Sequence, residues 1–185
     1  MTWCIIGSGE RQMNAMIKQP VTTPDFVSAM GLAATGVSVV TTDGANGRCG
    51  LTVSAVSSVS ADPPLLLICV NRKSPAVAAL DGNGAFAVNL LSGGNRAYAE
   101  TFSGRPREGK PFDFANHDWV IGETGLPLVT GATAVFECET FQSIDAGTHR
   151  IYIGRVVAAH KGEAEPLIYC NRAFRRISIH EGNRE

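Results

Sequence analysis

Hydrophobic and polar positions alternate along several short stretches of the chain, as is typical of β-strands with one buried face. Residues 37–42 alternate in this way and residues 43–47 have the composition of a hairpin turn, so the return strand is predicted to start at Arg48. An unbroken apolar run at residues 65–70 predicts a buried strand. Further strands are predicted at residues 85–91, 119–121, 132–144, 149–160 and 167–170.

Helix signals are few. Thr23 is predicted to cap a helix that has Pro24 at its first position and ends at residues 35–36. Its predicted apolar face consists of Phe26, Met30, Ala33 and Ala34. Because strands dominate and no βαβ alternation occurs, the sequence predicts a closed or sandwich-like antiparallel β-fold with minor helices.

Two more short helices are predicted between strands. Ser74 can cap residues 75–80, which a turn at residues 81–84 follows, and Ser92 can cap a helix over residues 93–102. Residues 103–118 are rich in glycine, proline and charge and predict a loop, and loops of that length are often functional.

Residues 50–60 carry strand-forming apolar residues interleaved with hydroxyl side chains and no charge, so we expect one strand. The bend at residues 62–64 then predicts that the strand at residues 65–70 runs back beside it. Such a strand can offer short donors and acceptors to the edge of a flat polar ligand. An ordinary sheet face lined with serine is an equally good interpretation.

Residues 71–74 (Asn-Arg-Lys-Ser) place two cations and a hydroxyl just before a predicted helix start. A helix N-terminus flanked by Arg and Lys suits a phosphate group. The alternative is that Arg72 and Lys73 are solvated surface charges.

Length and charge narrow the class of protein. The chain has 185 residues, 44% hydrophobic content and a formal net charge of −1, which predicts one globular domain and gives no electrostatic reason to expect nucleic acid or an anionic membrane. We expect a flexible extension at residues 1–22, the domain at 23–180 and a tail at 181–185. Five scattered cysteines argue against a disulfide framework, and with no signal or membrane segment they indicate the cytoplasm.

Candidate catalytic side chains are sparse. His117, His160 and His180 fit surface positions, whereas His149 follows Gly147-Thr148 at the head of a strand, where a structural and a functional role are equally plausible. We find no Gly-x-Ser-x-Gly elbow, no Walker-type loop and no ligand spacing for a metal site.

Taken together, several motifs resemble those of the flavin reductase family, and more narrowly the small NAD(P)H:flavin oxidoreductase components of two-component flavin monooxygenases. The resemblance covers about residues 24–180. The motifs that carry it are residues 35–42 (TGVSVVTT), 50–64 with the core SSVSADPP, 71–74 (NRKS), 86–91 (FAVNLL), 102–104 (FSG), 147–149 (GTH) and 166–169 (PLIY).

This resemblance implies an FMN-binding split β-barrel, a Greek-key antiparallel barrel with a few short helices, that forms a homodimer with the flavin near the dimer interface. It implies that Val37 lines the ring pocket, that Ser57 and Ser60 hold the ribityl chain or phosphate, and that His149 contacts the nicotinamide. Further expected contacts are Thr52, Val53, Ser54 and Ala55 at the isoalloxazine edge, Asn71, Lys73 and Ser74 at phosphate or adenylate, and Phe102, Ser103 and Gly104 near the flavin.

The expected activity is reduction of free FMN or FAD by NADH or NADPH, which supplies diffusible reduced flavin to a partner monooxygenase. Bound flavin would carry the hydride chemistry while the protein supplies orientation and electrostatics. Two alternatives share the barrel: a non-catalytic flavin- or haem-binding protein, and an oxidase of a phosphorylated vitamin.

Overall fold

The computed structural model describes residues 19–175 and Ile177. Residues 1–18 of the predicted extension, His180 and the tail at residues 181–185 lie outside the described residues. In the described part no helix is long and apolar enough to cross a membrane.

Strands are the main secondary structure of the described chain, and three α-helices interrupt them. The helices are α1 (Thr23–Met30), α2 (Ala76–Asn83) and α3 (Arg96–Phe102), and a short 3-10 helix (Gly93–Asn95) leads into α3. The strands are β1 (Thr35–Gly36), β2 (Ser38–Thr42), β3 (Cys49–Val53), β4 (Val56–Ala61), β5 (Pro64–Asn71), β6 (Ala85–Leu90), β7 (Trp119–Ile121), β8 (Pro127–Val129), β9 (Ala134–Ala146), β10 (His149–Lys161), β11 (Ile168–Cys170) and β12 (Ala173–Arg175).

Seven strands form one antiparallel sheet in the order β3-β2-β6-β9-β10-β5-β4. The sheet curls until its two ends lie side by side, because only Ser54 and Ala55 separate β3 at one end from β4 at the other. The outer edges of β3 and β4 are not paired with each other, so the barrel is split between them. The predicted mainly antiparallel β-fold with few helices is confirmed.

Alternate residues of β2 face two separate hydrophobic layers, as strand periodicity requires. Val40 points into the barrel, where it packs with Ile68, Phe86 and Tyr152 beneath α2. Val39 points outward into a layer between the sheet, α3 and the β7–β8 hairpin. The barrel is therefore filled inside and covered on one outer face.

The predicted hairpins form. The strand predicted at residues 37–42 pairs with β3, and the strand predicted at residues 65–70 pairs with β4. The two long strands predicted at residues 132–144 and 149–160 pair as β9 and β10.

One prediction at the centre of the sequence was wrong. Residues 50–60 do not form a single strand but divide into β3 and β4, which lie at opposite ends of the seven-stranded sheet. The chain leaves one sheet edge after Val53 and enters the other at Val56, so Ser54 and Ala55 cross the split. The physical reason is barrel closure, since a single straight strand could not pair with both β2 and β5.

The first helix differs from its prediction at both ends. Thr22, not Thr23, is the N-cap, because its Oγ1 accepts a hydrogen bond from the Asp25 N–H at 3.3 Å. The helix ends at Met30, and residues 35–36 form strand β1 against β11 instead of the helix terminus. Gly31, a weak helix former, stands at the C-cap.

The second helix begins later and runs further than predicted. Ser74 Oγ accepts a hydrogen bond from the Ala76 N–H at 3.3 Å, although Pro75 occupies the N-cap position. Residues 81–83 continue the helix, and Gly84 ends it with φ +67°. Gly82, which suggested a turn, instead lets the Asn46 side chain approach the helix where a Cβ atom would collide with it.

Candidate functional site

The split between β3 and β4 exposes backbone as well as side chains. Both strands are sheet edges, so each presents outward N–H and C=O groups that no strand among residues 19–175 pairs with. Ser54 and Ala55 connect the two edges. This gap is the place in the fold where a flat ligand could hydrogen-bond to backbone along a strand edge.

Two cavities flank the gap, and Ser54 lines both. The first, cavity 1, has a volume of about 620 Å³, and the second, cavity 2, about 700 Å³. Both fall within the usual size of a small-molecule site.

Cavity 1 lies outside the barrel, between β3, α3 and the C-terminal strands. Five of the candidates from the sequence line it. They are Val37, Thr52, Val53 and Ser54, with Ser103 from the end of α3. The cavity lining also includes Arg96, Ala99, Glu100, Arg105, Tyr169, Arg172, Ala173 and Phe174.

Cavity 2 opens at the end of the barrel and is mainly apolar. Ser57 and Ser60 line one wall of it, and Leu66 and Phe136 contribute to the lining as well. Ser38 also lines this cavity, with 1% exposure, and its hydroxyl has no hydrogen-bond partner within the described part of the chain. A buried hydroxyl without a partner costs free energy, so a ligand atom that met it would be favoured.

Four other sequence candidates form a separate group, which we call the edge cluster: Asn71, Lys73, Ser74 and His149. His149 stands opposite Asn71 in the pairing of β10 with β5. The Asn71 side chain accepts a hydrogen bond from the Lys73 N–H at 2.9 Å and so shapes the turn. The edge cluster is exposed except for half-buried Ser74, and none of its members lines either cavity.

Ion pairs hold the turn after β9 against the edge cluster. Arg150 contacts Asp145 at 2.7 Å and Asp81 at 2.5 Å, and Arg72 contacts Asp145 at 3.3 Å. The hydrogen bond from Arg150 is the main reason that the pKa of Asp145 is lowered. Burial, and then the neighbouring Asp81, raises the pKa of Tyr152 to about 12. The histidine at the start of β10 is therefore carried on a fixed turn.

Three remaining candidates line neither cavity. The Phe102 ring is 1% exposed and packs edge-on against Phe114 at 4.9 Å between ring centroids. Gly104 has φ +78° and lies against the Phe112 ring, and the Ala55 carbonyl accepts a hydrogen bond from Cys69. Within one chain, Phe102 is the last residue of α3 and anchors that helix against the Phe114 ring.

Close packing positions α3 beside the hydroxyl-bearing strand. Thr52 Oγ1 donates to the Ala99 carbonyl at 2.8 Å, and Gly50 leaves space for the Phe102 ring. Ser92 and Asn95 form a capping box ahead of the helix. An aromatic cluster made by Tyr98, Phe102, Phe114, His117 and Trp119 packs on the other side of the helix.

Sequence reasoning missed most of the far wall of cavity 1. Arg96 and Arg105 belong to α3 and the loop that follows it, and Tyr169 reaches the cavity because β11 pairs with β1. No periodicity indicates that pairing. Arg172 lies in the turn after β11, and no sequence motif predicts that it shares a cavity with Arg96 and Arg105.

A buried carboxylate lies elsewhere in the fold. Glu137 is fully buried and accepts hydrogen bonds from the Thr124 N–H at 2.8 Å, the Glu123 N–H at 3.1 Å, His160 Nε2 at 2.8 Å and the Thr124 hydroxyl. Burial alone would raise the pKa of Glu137, but these hydrogen bonds outweigh it and lower the pKa to about 2. This carboxylate fixes the β7–β8 turn and lines neither cavity.

Comparison with known proteins matches the chain over most of its length. Residues 30–178 match the family model described as the flavin reductase like domain. A curated relative, the FMN reductase (NADH) RutF of Stutzerimonas stutzeri, is 36% identical over 168 residues, which cover 90% of this chain and 95% of the relative.

Two solved structures share the fold. The Streptomyces globisporus NADH:FAD oxidoreductase SgcE6, in complex with NAD and FAD fragments, superposes with a TM-score of 0.78 at 32% identity and covers 89% of this chain and 99% of its own. The styrene monooxygenase flavin reductase of Pseudomonas putida gives a TM-score of 0.74 at 28% identity, covering 84% and 99%. The resemblance found in the sequence motifs is confirmed, and so is the split-barrel fold.

Proposed function

The chain belongs to the flavin reductase like domain family, and from that premise we propose that it is an NAD(P)H:flavin oxidoreductase that reduces free FMN or FAD. The proposal rests on cavity 1, where a sheet edge with hydroxyl side chains faces three arginines. We call these residues, Arg96, Arg105 and Arg172, the arginine rim. Relatives named NADH-dependent FMN reductase and NADH:FAD oxidoreductase favour NADH as the donor.

The residues present fit a flavin. Its ring edge alternates hydrogen-bond donors and acceptors, and the unpaired edge of β3 with the exposed Ser54 hydroxyl offers the same alternation. The Thr52 hydroxyl donates to Ala99 and so remains an acceptor only. The unsatisfied Ser38 hydroxyl on the other side of Ser54 adds a further buried group that a ligand could satisfy.

When bound, the flavin supplies the hydride-accepting chemistry, and this chain binds and orients the two reactants. In this proposal Val37, Thr52, Val53, Ser54 and Ala55 hold the ring edge, and Ser57 and Ser60 hold the ribityl chain. Backbone N–H groups on the β3 edge would donate hydrogen bonds to a bound ring and would favour its more negative, reduced form. Ser103 completes the wall of cavity 1, and Phe102 and Gly104 support it from the side away from the cavity.

Three members of the edge cluster, Asn71, Lys73 and Ser74, are proposed to bind the flavin phosphate. Lys73 is exposed and forms no ion pair within the described residues, and Ser74 lies beside the first turn of α2. His149 is proposed to contact the nicotinamide. Because His149 lines neither cavity of its own chain, that contact requires a ligand that reaches the edge cluster or a second copy of the chain.

We also propose a homodimer in the cytoplasm that releases reduced flavin to a separate monooxygenase. Exposed apolar side chains on β9 and β10, Phe141, Ile144 and Val157, together with Phe26 and Met30 of α1, favour a covering partner chain. One similar structure is named as the flavin reductase of a styrene monooxygenase, which supports the proposal that this chain supplies reduced flavin to an oxygenase. Light scattering during size-exclusion chromatography tests the dimer.

The experiment that tests the activity is NADH oxidation by purified protein with and without added flavin. Oxidation that requires and saturates with free flavin is expected. Tightly bound colour without turnover would instead favour the non-catalytic flavin- or haem-binding alternative.

A further inference from the structure

Cavity 1 carries more positive charge than a neutral flavin ring needs. Three arginines line it, Arg96, Arg105 and Arg172, against a single carboxylate, Glu100. They come from α3, from the loop after it and from the turn between β11 and β12. The cavity is therefore suited to a ligand with an anionic portion.

The single carboxylate is already shared. Arg96 Nε contacts Glu100 at 2.8 Å and Arg107 Nε contacts it at 3.1 Å, while the Arg96 guanidinium also lies 4.9 Å from the centroid of the Phe174 ring. Arg96 is thus held as part of the wall.

Arg105 and Arg172 differ from Arg96. Both are exposed, and within residues 19–175 neither has a carboxylate within ion-pair distance. Their guanidinium groups can donate to an anion in the cavity without first breaking an ion pair.

The fold fixes the backbone of both residues. The Arg105 N–H donates to the Glu100 carbonyl at 2.9 Å at the end of α3. Arg172 has φ +58° in a tight turn whose preceding residue, Asn171, has φ +49° and donates its N–H to the Gly31 carbonyl at 2.7 Å. Non-glycine residues rarely adopt positive φ, so the turn presents Arg172 at some cost in backbone energy.

The edge cluster and the arginine rim are two separate cationic places, since Lys73 and Ser74 do not line cavity 1. FMN has one phosphate group, whereas FAD and a nicotinamide dinucleotide both have a diphosphate. The FAD diphosphate includes the phosphate that FMN carries, so a flavin phosphate held at the edge cluster keeps the FAD diphosphate there as well. We propose that Arg105 and Arg172 bind the diphosphate of the nicotinamide dinucleotide, which leaves the edge cluster to the flavin phosphate. This assignment rests on the proposed function.

ADP-ribose is the appropriate probe, because it carries the diphosphate but has no nicotinamide and takes no hydride. Isothermal titration of the full chain compares wild type with Arg105→Ala, Arg172→Ala and the double variant. Losing one charge-assisted contact should weaken ADP-ribose binding about tenfold. The double variant should lose more ADP-ribose affinity, while its affinities for FMN and for FAD stay within about twofold of wild type.

Lys110→Ala is the matched control, since it removes one exposed charge from the same loop as Arg105 without lining the cavity. It should bind ADP-ribose like wild type. An equal loss of ADP-ribose affinity in Lys110→Ala would show a general charge effect and overturn the assignment. Unchanged ADP-ribose binding in the double variant would overturn it as well. Loss of FMN affinity in place of ADP-ribose affinity, or loss of FAD affinity in the double variant, would assign Arg105 and Arg172 to the flavin and also overturn the proposal.

Failure of this assignment is separable from failure of the proposed function. Flavin-dependent NADH oxidation is measured on wild type alone and tests the function. ADP-ribose binding that the two arginine substitutions abolish supports the diphosphate site without reference to turnover.

Discussion

Asn71 and His149 lie opposite each other where β5 and β10 pair, so the cationic turn after β5 and the histidine at the head of β10 share one corner of the sheet. Arg72 ties the two turns together, because its N–H donates to the Thr148 carbonyl at 3.0 Å. Residues that are 78 positions apart in the sequence thereby form one exposed polar surface. The first two predictions test it.

Lys73→Ala should weaken flavin binding about tenfold, since it removes a charge-assisted contact to the phosphate. Fluorescence titration of FMN measures the dissociation constant, with Lys110→Ala as a control of equal charge. An FMN affinity equal to that of wild type would exclude Lys73 from the phosphate site.

His149→Ala should raise the KM for NADH or lower kcat by about five- to tenfold, because the nicotinamide loses an orienting contact. Steady-state kinetics at saturating flavin separate the two effects. The nicotinamide role is wrong if both constants stay at their wild-type values.

Glu137→Gln should destabilise the fold by about 2–4 kcal/mol, because an amide cannot accept all the hydrogen bonds that the buried carboxylate accepts. Urea unfolding of wild type and variant at about pH 7 measures the difference. The control is Glu139→Gln on the same strand, an exposed residue that should change stability by less than about 0.5 kcal/mol. Similar unfolding midpoints for the two variants would contradict the role of Glu137.

The low pKa of Glu137 also predicts how the stability of the fold changes with pH. A carboxyl group whose pKa falls from 4.5 to about 2 on folding contributes its stability above about pH 4.5 and loses it as the pH falls toward 2. The difference in free energy of unfolding between wild type and Glu137→Gln should therefore have its largest value at about pH 7 and shrink below about pH 4. A gap that stayed constant down to pH values near 2 would rule out this linkage.

Gly50→Ala should cost about 1–3 kcal/mol, because the added Cβ would lie 2.7 Å from Cε1 of the buried Phe102 ring. Pushing Phe102 also displaces α3, so the KM for the nucleotide or flavin should rise. Gly93→Ala is the control, since its Cβ would meet nothing within 4 Å. Thermal unfolding and steady-state kinetics on both variants measure the two effects, and equal behaviour would contradict the packing argument.

Hairpins were predictable from sequence because their signals are local. Alternation in residues 37–42, glycine-rich turn chemistry in residues 43–47 and the proline bend at residues 62–64 each act within a few positions. The division of residues 50–60 was not predictable, because the break at Ser54 depends on which distant strands each half pairs with. Strand β8 was missed for a similar reason: its three residues are fixed by contacts with Thr41 and Asn89.

The candidate site was predictable only on the side that carries local motifs. Thr52, Val53 and Ser54 are neighbours in sequence and in space, and so are the residues of the edge cluster that precede α2. Arg105 and Arg172 meet across cavity 1 only after β11 has paired with β1, and no motif encodes that pairing.

The measurement that tests the central claim most directly is the absorbance decrease of NADH with purified protein, first alone, then with increasing FMN and then FAD. The account predicts little oxidation without flavin and a rate that rises with free flavin and saturates, with the two saturation curves ranking FMN and FAD. No oxidation with either flavin, repeated with NADPH, would contradict the reductase.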